Sequence, residues 1–136
     1  MTDDPADSSG EAAAFSGTPA LTEVIDRREA LERAGDDAEF LDELLRIFRD
    51  DAPAMLQRLD DAAGDADPRA LERAAHSVKG ATGTISAHAV SALAADVERL
   101  ARATRTAEAH ARLLELRRAF AQLVRALDAA LGRKAA

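Results

Sequence analysis

The chain has 136 residues and a mass of 14.4 kDa, enough for one domain with a single core. It has no cysteine, which excludes disulfides, thiol catalysis and cysteine zinc sites, and its three histidines lack metal-ligand spacing. The net charge of −7 and the lack of a basic block argue against nucleic-acid binding. The longest stretch without a charged residue, 80–95, consists mostly of small residues, and the acidic start is unlike a secretory signal. We therefore expect a cytoplasmic protein that neither spans a membrane nor binds nucleic acid.

The first twenty residues differ in composition from the rest. They combine Asp, Ser, Gly, Pro and Ala with one isolated Phe15, so they bury too little apolar surface to offset chain entropy. This composition predicts a disordered acidic tail over residues 1–20 and a folded domain over residues 21–136.

Two helices are predicted next. Asp26 is a capping residue for a short helix that runs to Ala34, and Gly35 can end it. A second, long helix begins near Asp37 and continues to Gly64, and Pro53 is expected to kink or interrupt it. Its apolar residues at helical spacing are Phe40, Leu41, Leu44, Ile47, Phe48, Met55, Leu56 and Leu59.

The second half of the chain predicts three more helices. Asp67 and Pro68 form a cap with proline in the first turn, helix four follows Ser86, and helix five follows Thr106. The third helix has its apolar stripe at Leu71, Ala74, Ala75, Val78 and Ile85. Strand-like alternation does not occur, and the connections between the four long segments are short. The predicted fold is all-α: an antiparallel, up-down-up-down four-helix bundle with a short N-terminal lid helix. One apolar face per helix suffices for one bundle, which favours a monomer over a dimer through the tail or the lid.

The third helix carries an unusual polar row. His76, Lys79, Gly80 and Gly83 follow the spacing i, i+3, i+4 and i+7, which places them on one face. At 100° per residue, His76 lies roughly 160° from the core position Val78, so its imidazole should be exposed. Each glycine inside a helix costs about 1 kcal/mol relative to alanine. Two glycines beside an exposed histidine indicate room for a partner to approach, although Gly83 could equally serve close helix packing.

The row has the chemistry of phosphoryl transfer. A histidine with an ordinary pKa near 6.5 is largely neutral at cytoplasmic pH, so it can attack phosphorus without a separate base. Lys79 can balance the charge of a phosphoryl group. The sequence has neither a Walker loop nor a kinase glycine loop, so the phosphoryl donor must be another protein or domain.

The segment AHSVKGATGTISA, residues 75–87, resembles the sequence motif of histidine-containing phosphotransfer (HPt) domains of bacterial phosphorelays. The small residue before His76, the lysine three residues later and the glycine four residues later agree, whereas Ser86 stands where glycine is usual. Val90, Leu93, Val97 and Glu98 follow in register, and the similarity extends over about residues 22–131.

The resemblance implies that His76 accepts a phosphoryl group from a receiver-domain aspartyl phosphate and passes it to another receiver aspartate. The partners would be receiver domains of response regulators or hybrid histidine kinases. Magnesium would belong to the receiver, and this chain would hold no cofactor or metal of its own. The resemblance also implies roles for Lys79 as the phosphoryl charge partner, Gly80 as the clearance residue, and Arg102, or alternatively Arg99, as a basic residue from the next helix. Ser77, Thr82, Gly83 and Thr84 are the predicted partner contacts around His76.

Two alternatives keep part of this interpretation. In a chemotaxis-type phosphoacceptor, the ATP-binding domain of a histidine kinase would phosphorylate His76 directly. In a non-catalytic helical adaptor, His76 would have no chemical role, but the two glycines would then be unexplained. His88 and His110 lack a comparable setting and are predicted to be plain surface or helix-cap residues.

Overall fold

A computed structural model describes residues 17–132, which form six α-helices and no strand. The predicted tail over residues 1–20 lies outside the described residues except for its last four. The helices are α1 (Leu21–Val24), α2 (Arg27–Arg33), α3 (Ala38–Gly64), α4 (Pro68–Thr84), α5 (His88–Arg102) and α6 (Thr106–Leu131).

The predicted helix starts at Asp26, Asp37 and Asp67 are confirmed. Each aspartate precedes a helix, and its side chain accepts a hydrogen bond from the backbone N–H three residues later. The short helix α1 was not predicted as a separate element. The expectation that Pro53 could interrupt the long helix is wrong, because α3 runs through it without a break.

The helices α2 to α5 end in the same way. At each end a backbone N–H donates to the carbonyl oxygen five residues earlier, as in Ala87 to Thr82 and Arg105 to Leu100. The residue before that donor takes a left-handed conformation. After α2 this residue is Gly35, but after α3, α4 and α5 it is a non-glycine residue, namely Ala66, Ser86 and Thr104 respectively. Each of these side chains costs about 1–2 kcal/mol there. Only the three residues 65–67, 85–87 and 103–105 therefore separate consecutive long helices.

The four long helices share one core. Each packs against the next in chain order, and α3 also packs against α6, where the rings of Phe48 and Phe120 lie 5.7 Å apart. The core is mostly leucine, alanine and valine. Two residues of the predicted apolar stripe are not in it: Phe40 is 45% exposed and Ile47 57% exposed. Their spacing fits a helix, but α3 has neighbours on only part of its circumference.

Helices α4 and α5 form the most extensive helix pair. Their buried faces are rich in alanine, at Ala74 and Ala75 in α4 and at Ala94 and Ala101 in α5. Small side chains let two helix backbones approach closely, so polar side chains at the edge of the pair can reach across. This packing places residues of α5 beside the row on α4.

Candidate functional site

The imidazole of His76 stands at the edge of the α4–α5 pair. Its side chain is 66% exposed, while Val78 and Leu71 on the opposite face of α4 are buried, as helical geometry predicts. The ring is nevertheless fixed, because its Nδ1 lies 2.8 Å from Oε2 of Glu98 on α5. The predicted nucleophile is thus exposed to solvent on one side and held by a carboxylate on the other.

Glu98 is the residue of this site that the sequence interpretation missed. Its side chain is only 7% exposed, and it lies in the sequence among Val97, Leu100 and Ala101, which are core residues of α5. An isolated acidic residue among core positions is a signal that could have identified it, since buried carboxylates need partners.

Three side chains satisfy the Glu98 carboxylate. Oε2 accepts hydrogen bonds from Nδ1 of His76 and from Nη2 of Arg102 at 2.9 Å, and Oε1 lies 2.7 Å from Nζ of Lys79. Arg102 also donates from Nε to Glu72 on α4, at 2.8 Å. Lys79 and Arg102 therefore both lie at the site, but in this structure each is paired with a carboxylate rather than extended toward solvent.

These contacts keep Glu98 ionised. Burial raises the pKa of the Glu98 carboxyl, but the hydrogen bonds from Lys79 and His76 outweigh burial, so the pKa lies below its ordinary value. At neutral pH the group beside His76 is therefore a carboxylate.

An ionised carboxylate fixes which ring nitrogen of His76 carries the proton. A carboxylate can only accept hydrogen bonds, so in the neutral imidazole the proton belongs on Nδ1, which donates to Glu98. The lone pair is then on Nε2. A neutral, nucleophilic nitrogen on an exposed side chain is what attack on a phosphoryl group requires.

The two glycines of the row have different surroundings. A Cβ at Gly80 would meet nothing within 4 Å, so the surface one turn from His76 is open. A Cβ at Gly83 would lie 3.7 Å from Oγ of Ser91, which is ordinary contact. Gly80 therefore provides open space, whereas Gly83 lies against α5 and its carbonyl accepts a hydrogen bond from Arg33 of α2.

The other predicted contact residues divide into two groups. Ser77 and Thr84 are exposed on α4, near His76 and Gly80 respectively. Thr82 is fully buried and its hydroxyl donates to the carbonyl of Val78, so its expected position on the exposed rim is wrong. Arg99 is exposed but pairs with Asp96 on its own helix, so of the two candidate arginines only Arg102 reaches the site.

The turn after α4 is tied to α2 by polar contacts. Ser86 has a φ of 59°, which explains why glycine is usual at this position of the motif. Its buried hydroxyl donates to Glu29 at 2.6 Å, and Nε2 of His88 lies 2.7 Å from the same oxygen. The hydrogen bond from Ser86 lowers the pKa of the Glu29 carboxyl, with a smaller effect from His88. His88 is therefore engaged with α2 rather than with the row.

A family model described as the Hpt domain matches residues 43–131, from within α3 to the end of α6. The chain belongs to the Hpt domain family. Members of this family carry out histidine phosphotransfer in phosphorelays and work with receiver domains. Comparison of the chain with curated proteins and with solved structures gives no significant match. Within residues 17–132, none of the helices has the length and apolar character that crossing a membrane requires.

Proposed function

We propose that His76 is the phosphoacceptor of this Hpt domain, and that it carries a phosphoryl group on Nε2 between the aspartates of two receiver domains. The observation that carries the proposal is the 2.8 Å contact between Nδ1 of His76 and Glu98, which in the neutral imidazole puts the proton on Nδ1 and the lone pair on Nε2 of a side chain that is 66% exposed. Gly80 supports it, because the open surface one turn away lets the active site of a second protein approach.

The transfer step needs no proton movement. The Nε2 lone pair attacks phosphorus, the bond between phosphorus and the aspartate oxygen breaks, and its electron pair stays on the aspartate carboxylate. The imidazole becomes positively charged while its proton remains on Nδ1, where Glu98 stabilises it. In the reverse direction neutral imidazole leaves, so the same hydrogen bond supports donation to the next receiver.

Lys79 and Arg102 balance the charge of the carried group. In the unphosphorylated site they offset Glu98 and Glu72. A phosphoryl group on a side chain adds a charge of about −1.5 to −2 at neutral pH. We propose that the exposed ends of Lys79 and Arg102 then turn toward the phosphoryl oxygens. Magnesium would remain a group of the receiver.

The test is phosphoryl transfer to this protein from a purified receiver domain that has been phosphorylated with a small phosphodonor. Peptide mapping under neutral or alkaline conditions, where phosphohistidine survives, should place the adduct on His76. His76→Gln should abolish labelling with unchanged circular dichroism, whereas the matched variants His88→Gln and His110→Gln should label normally. Labelling of His76→Gln at the normal level would refute the assignment.

The same assay separates the alternatives. If a histidine kinase with ATP labels His76 and phosphorylated receivers do not, the result would favour the chemotaxis-type phosphoacceptor. Absence of an adduct with either donor, with the helices intact, would favour the non-catalytic adaptor.

We further propose that residues 21–136 form one cytoplasmic, monomeric Hpt domain. Its four long helices would alternate in direction, because only three residues join each consecutive pair, and α2 would act as a lid held by Glu29 and Arg33.

A further inference from the structure

A second carboxylate, that of Glu72, lies close to the site. Glu72 precedes His76 by one helical turn on the same face of α4, since residues four apart are neighbours on a helix surface. Its side chain is 29% exposed, and its Oε2 accepts a hydrogen bond of 2.8 Å from Nε of Arg102 on α5. Glu72 therefore contacts Arg102, whereas Glu98 contacts both Arg102 and His76.

The two carboxylates share one edge of the Arg102 guanidinium. Nε donates to Glu72, and Nη2 donates to Glu98 at 2.9 Å. A guanidinium binds two oxygens of a phosphoryl group through two adjacent N–H groups, and Nε and Nη2 are such a pair. As long as Glu72 holds Nε, Arg102 cannot present this edge to a phosphoryl group on His76.

Of the two carboxylates, Glu72 is the one that Arg102 can leave. Glu98 is only 7% exposed, so removing a cation from it would leave a buried charge poorly compensated. The Glu72 carboxylate is more exposed, so water can solvate it when Arg102 moves away. The pKa of the Arg102 guanidinium is raised, chiefly by its hydrogen bond to Glu72 and by the charge of Glu72, with smaller contributions from Glu98. Glu72 is therefore the main competitor of a phosphoryl group for Arg102.

We propose that Glu72 is a positioning residue that holds Arg102 back from the phosphoryl group and thereby keeps phosphorylated His76 ready to pass the group on. A group that is bound more tightly in the ground state than in the transition state is transferred more slowly. Between two encounters with receivers, only side chains of this chain remain beside the phosphoryl group, so the restraint on Arg102 acts on that state. The inference rests on the proposed function, because it takes His76 as the carrier.

The variant Glu72→Gln keeps the size of the side chain but removes its charge, so Arg102 is free to bind the phosphoryl group. In the return step a carboxylate oxygen of the receiver aspartate attacks phosphorus, the bond from phosphorus to Nε2 of His76 breaks, and its electron pair stays on Nε2. This step should become about two- to fivefold slower, which is the effect of an exposed ion pair. The equilibrium between the two phosphoproteins should shift toward phosphorylated His76 to a similar extent, while transfer from the receiver to His76 should not slow.

The test is to phosphorylate the full chain with phosphoramidate, remove this donor, and follow return transfer to a purified receiver. The matched control is Glu115→Gln, which should return the group at the wild-type rate, because Glu115 forms an exposed ion pair of the same 2.8 Å with Arg112 on α6. Glu72→Asp keeps the carboxylate and should stay nearer the wild type than Glu72→Gln does. In an Arg102→Gln background, Glu72→Gln should have no further effect, because the side chain through which Glu72 acts is absent.

Outcomes that would overturn the inference are distinct from failure of the proposed function. If neither phosphoramidate nor a phosphorylated receiver labels the wild-type protein, the proposed function fails. If the wild type is labelled and Glu72→Gln returns the group as fast as Glu115→Gln, only the role of Glu72 is wrong. A slower return that persists at full size in the Arg102→Gln background would also overturn this role, since Glu72 would then act without Arg102. Slower transfer in both directions, together with a lower urea midpoint, would show that Glu72 is merely structural.

Discussion

Removal of the Glu98 carboxylate should slow phosphoryl transfer while the protein stays folded. In Glu98→Ala, His76 loses a charge-assisted hydrogen bond at 2.8 Å. A hydrogen bond to a charged group is worth about 1.5–3 kcal/mol, and this one stabilises the positive charge that develops on the ring during attack. The bond is also present before attack, and only its strengthening in the transition state affects the rate, so roughly 10- to 150-fold is the upper range of the expected loss in rate.

The effect on stability should be smaller. Breaking a fully buried ion pair costs about 3–5 kcal/mol, because a charge is left buried without a partner. The side chains of Lys79 and Arg102 are 37% and 60% exposed, so both can be solvated when Glu98 is absent. We expect a loss of about 1–2 kcal/mol in the free energy of unfolding.

The first assay is single-turnover phosphoryl transfer from a phosphorylated receiver. The second is ¹⁵N NMR of the His76 ring, which distinguishes a proton on Nδ1 from one on Nε2. Glu98→Gln keeps an acceptor without charge and should give an intermediate rate. The matched control is Glu72→Gln, which removes the other partner of Arg102 but does not touch His76. Transfer by Glu98→Ala at the wild-type rate, with the proton still on Nδ1, would show that the carboxylate does not position the ring.

Three further predictions concern the surface, the charge and the turn. Gly80→Leu should slow transfer from a receiver without lowering the urea midpoint, because its Cβ meets nothing within 4 Å; Gly64→Leu, also open, is the control that should transfer normally. The pKa of the Glu98 carboxyl is lowered in the folded state, so the ionised group stabilises the fold at neutral pH. This stabilisation is lost as the pH falls below the pKa of the unfolded state and then through the pKa of the folded state. The free energy of unfolding measured in urea should therefore fall less between neutral and acid pH in Glu98→Gln than in the wild type. Parallel pH profiles of the two proteins would contradict this. Ser86→Gly should be more stable than Ser86→Ala by about 1 kcal/mol, since only alanine keeps the left-handed strain at φ 59°; equal melting temperatures would contradict the strain.

Local signals in the sequence were sufficient for five of the six helices described, all but the short α1. A side-chain cap and helical periodicity act within a few residues of each other, so Asp37 and Asp67 mark helix starts correctly. The exposure of Ile47 was not predictable in this way. Periodicity identifies an apolar face, but how much of that face is covered depends on where the neighbouring helices lie.

The same distinction applies to the site. The spacing of His76, Lys79 and Gly80 within one helix was enough to predict a shared, exposed face, because helical geometry fixes it. The role of Lys79 was only partly predictable, since its ammonium pairs with a residue 19 positions away in another helix. Thr82 was misplaced although the local geometry was sufficient: it lies four residues after the core residue Val78, so it is on the buried face of α4, where its hydroxyl is satisfied by its own helix.

Glu98 shows why a buried acidic residue is informative once the helices are in place. A carboxylate at that depth is unfavourable unless nearby donors satisfy it, and here three donors from α4 and α5 do so. A neutral glutamine could accept the same hydrogen bond from His76 without holding two cations beside it. Besides accepting the hydrogen bond from Nδ1, the carboxylate therefore does what a neutral residue could not: it holds Lys79 and Arg102 beside His76, where we propose that the phosphoryl group is carried.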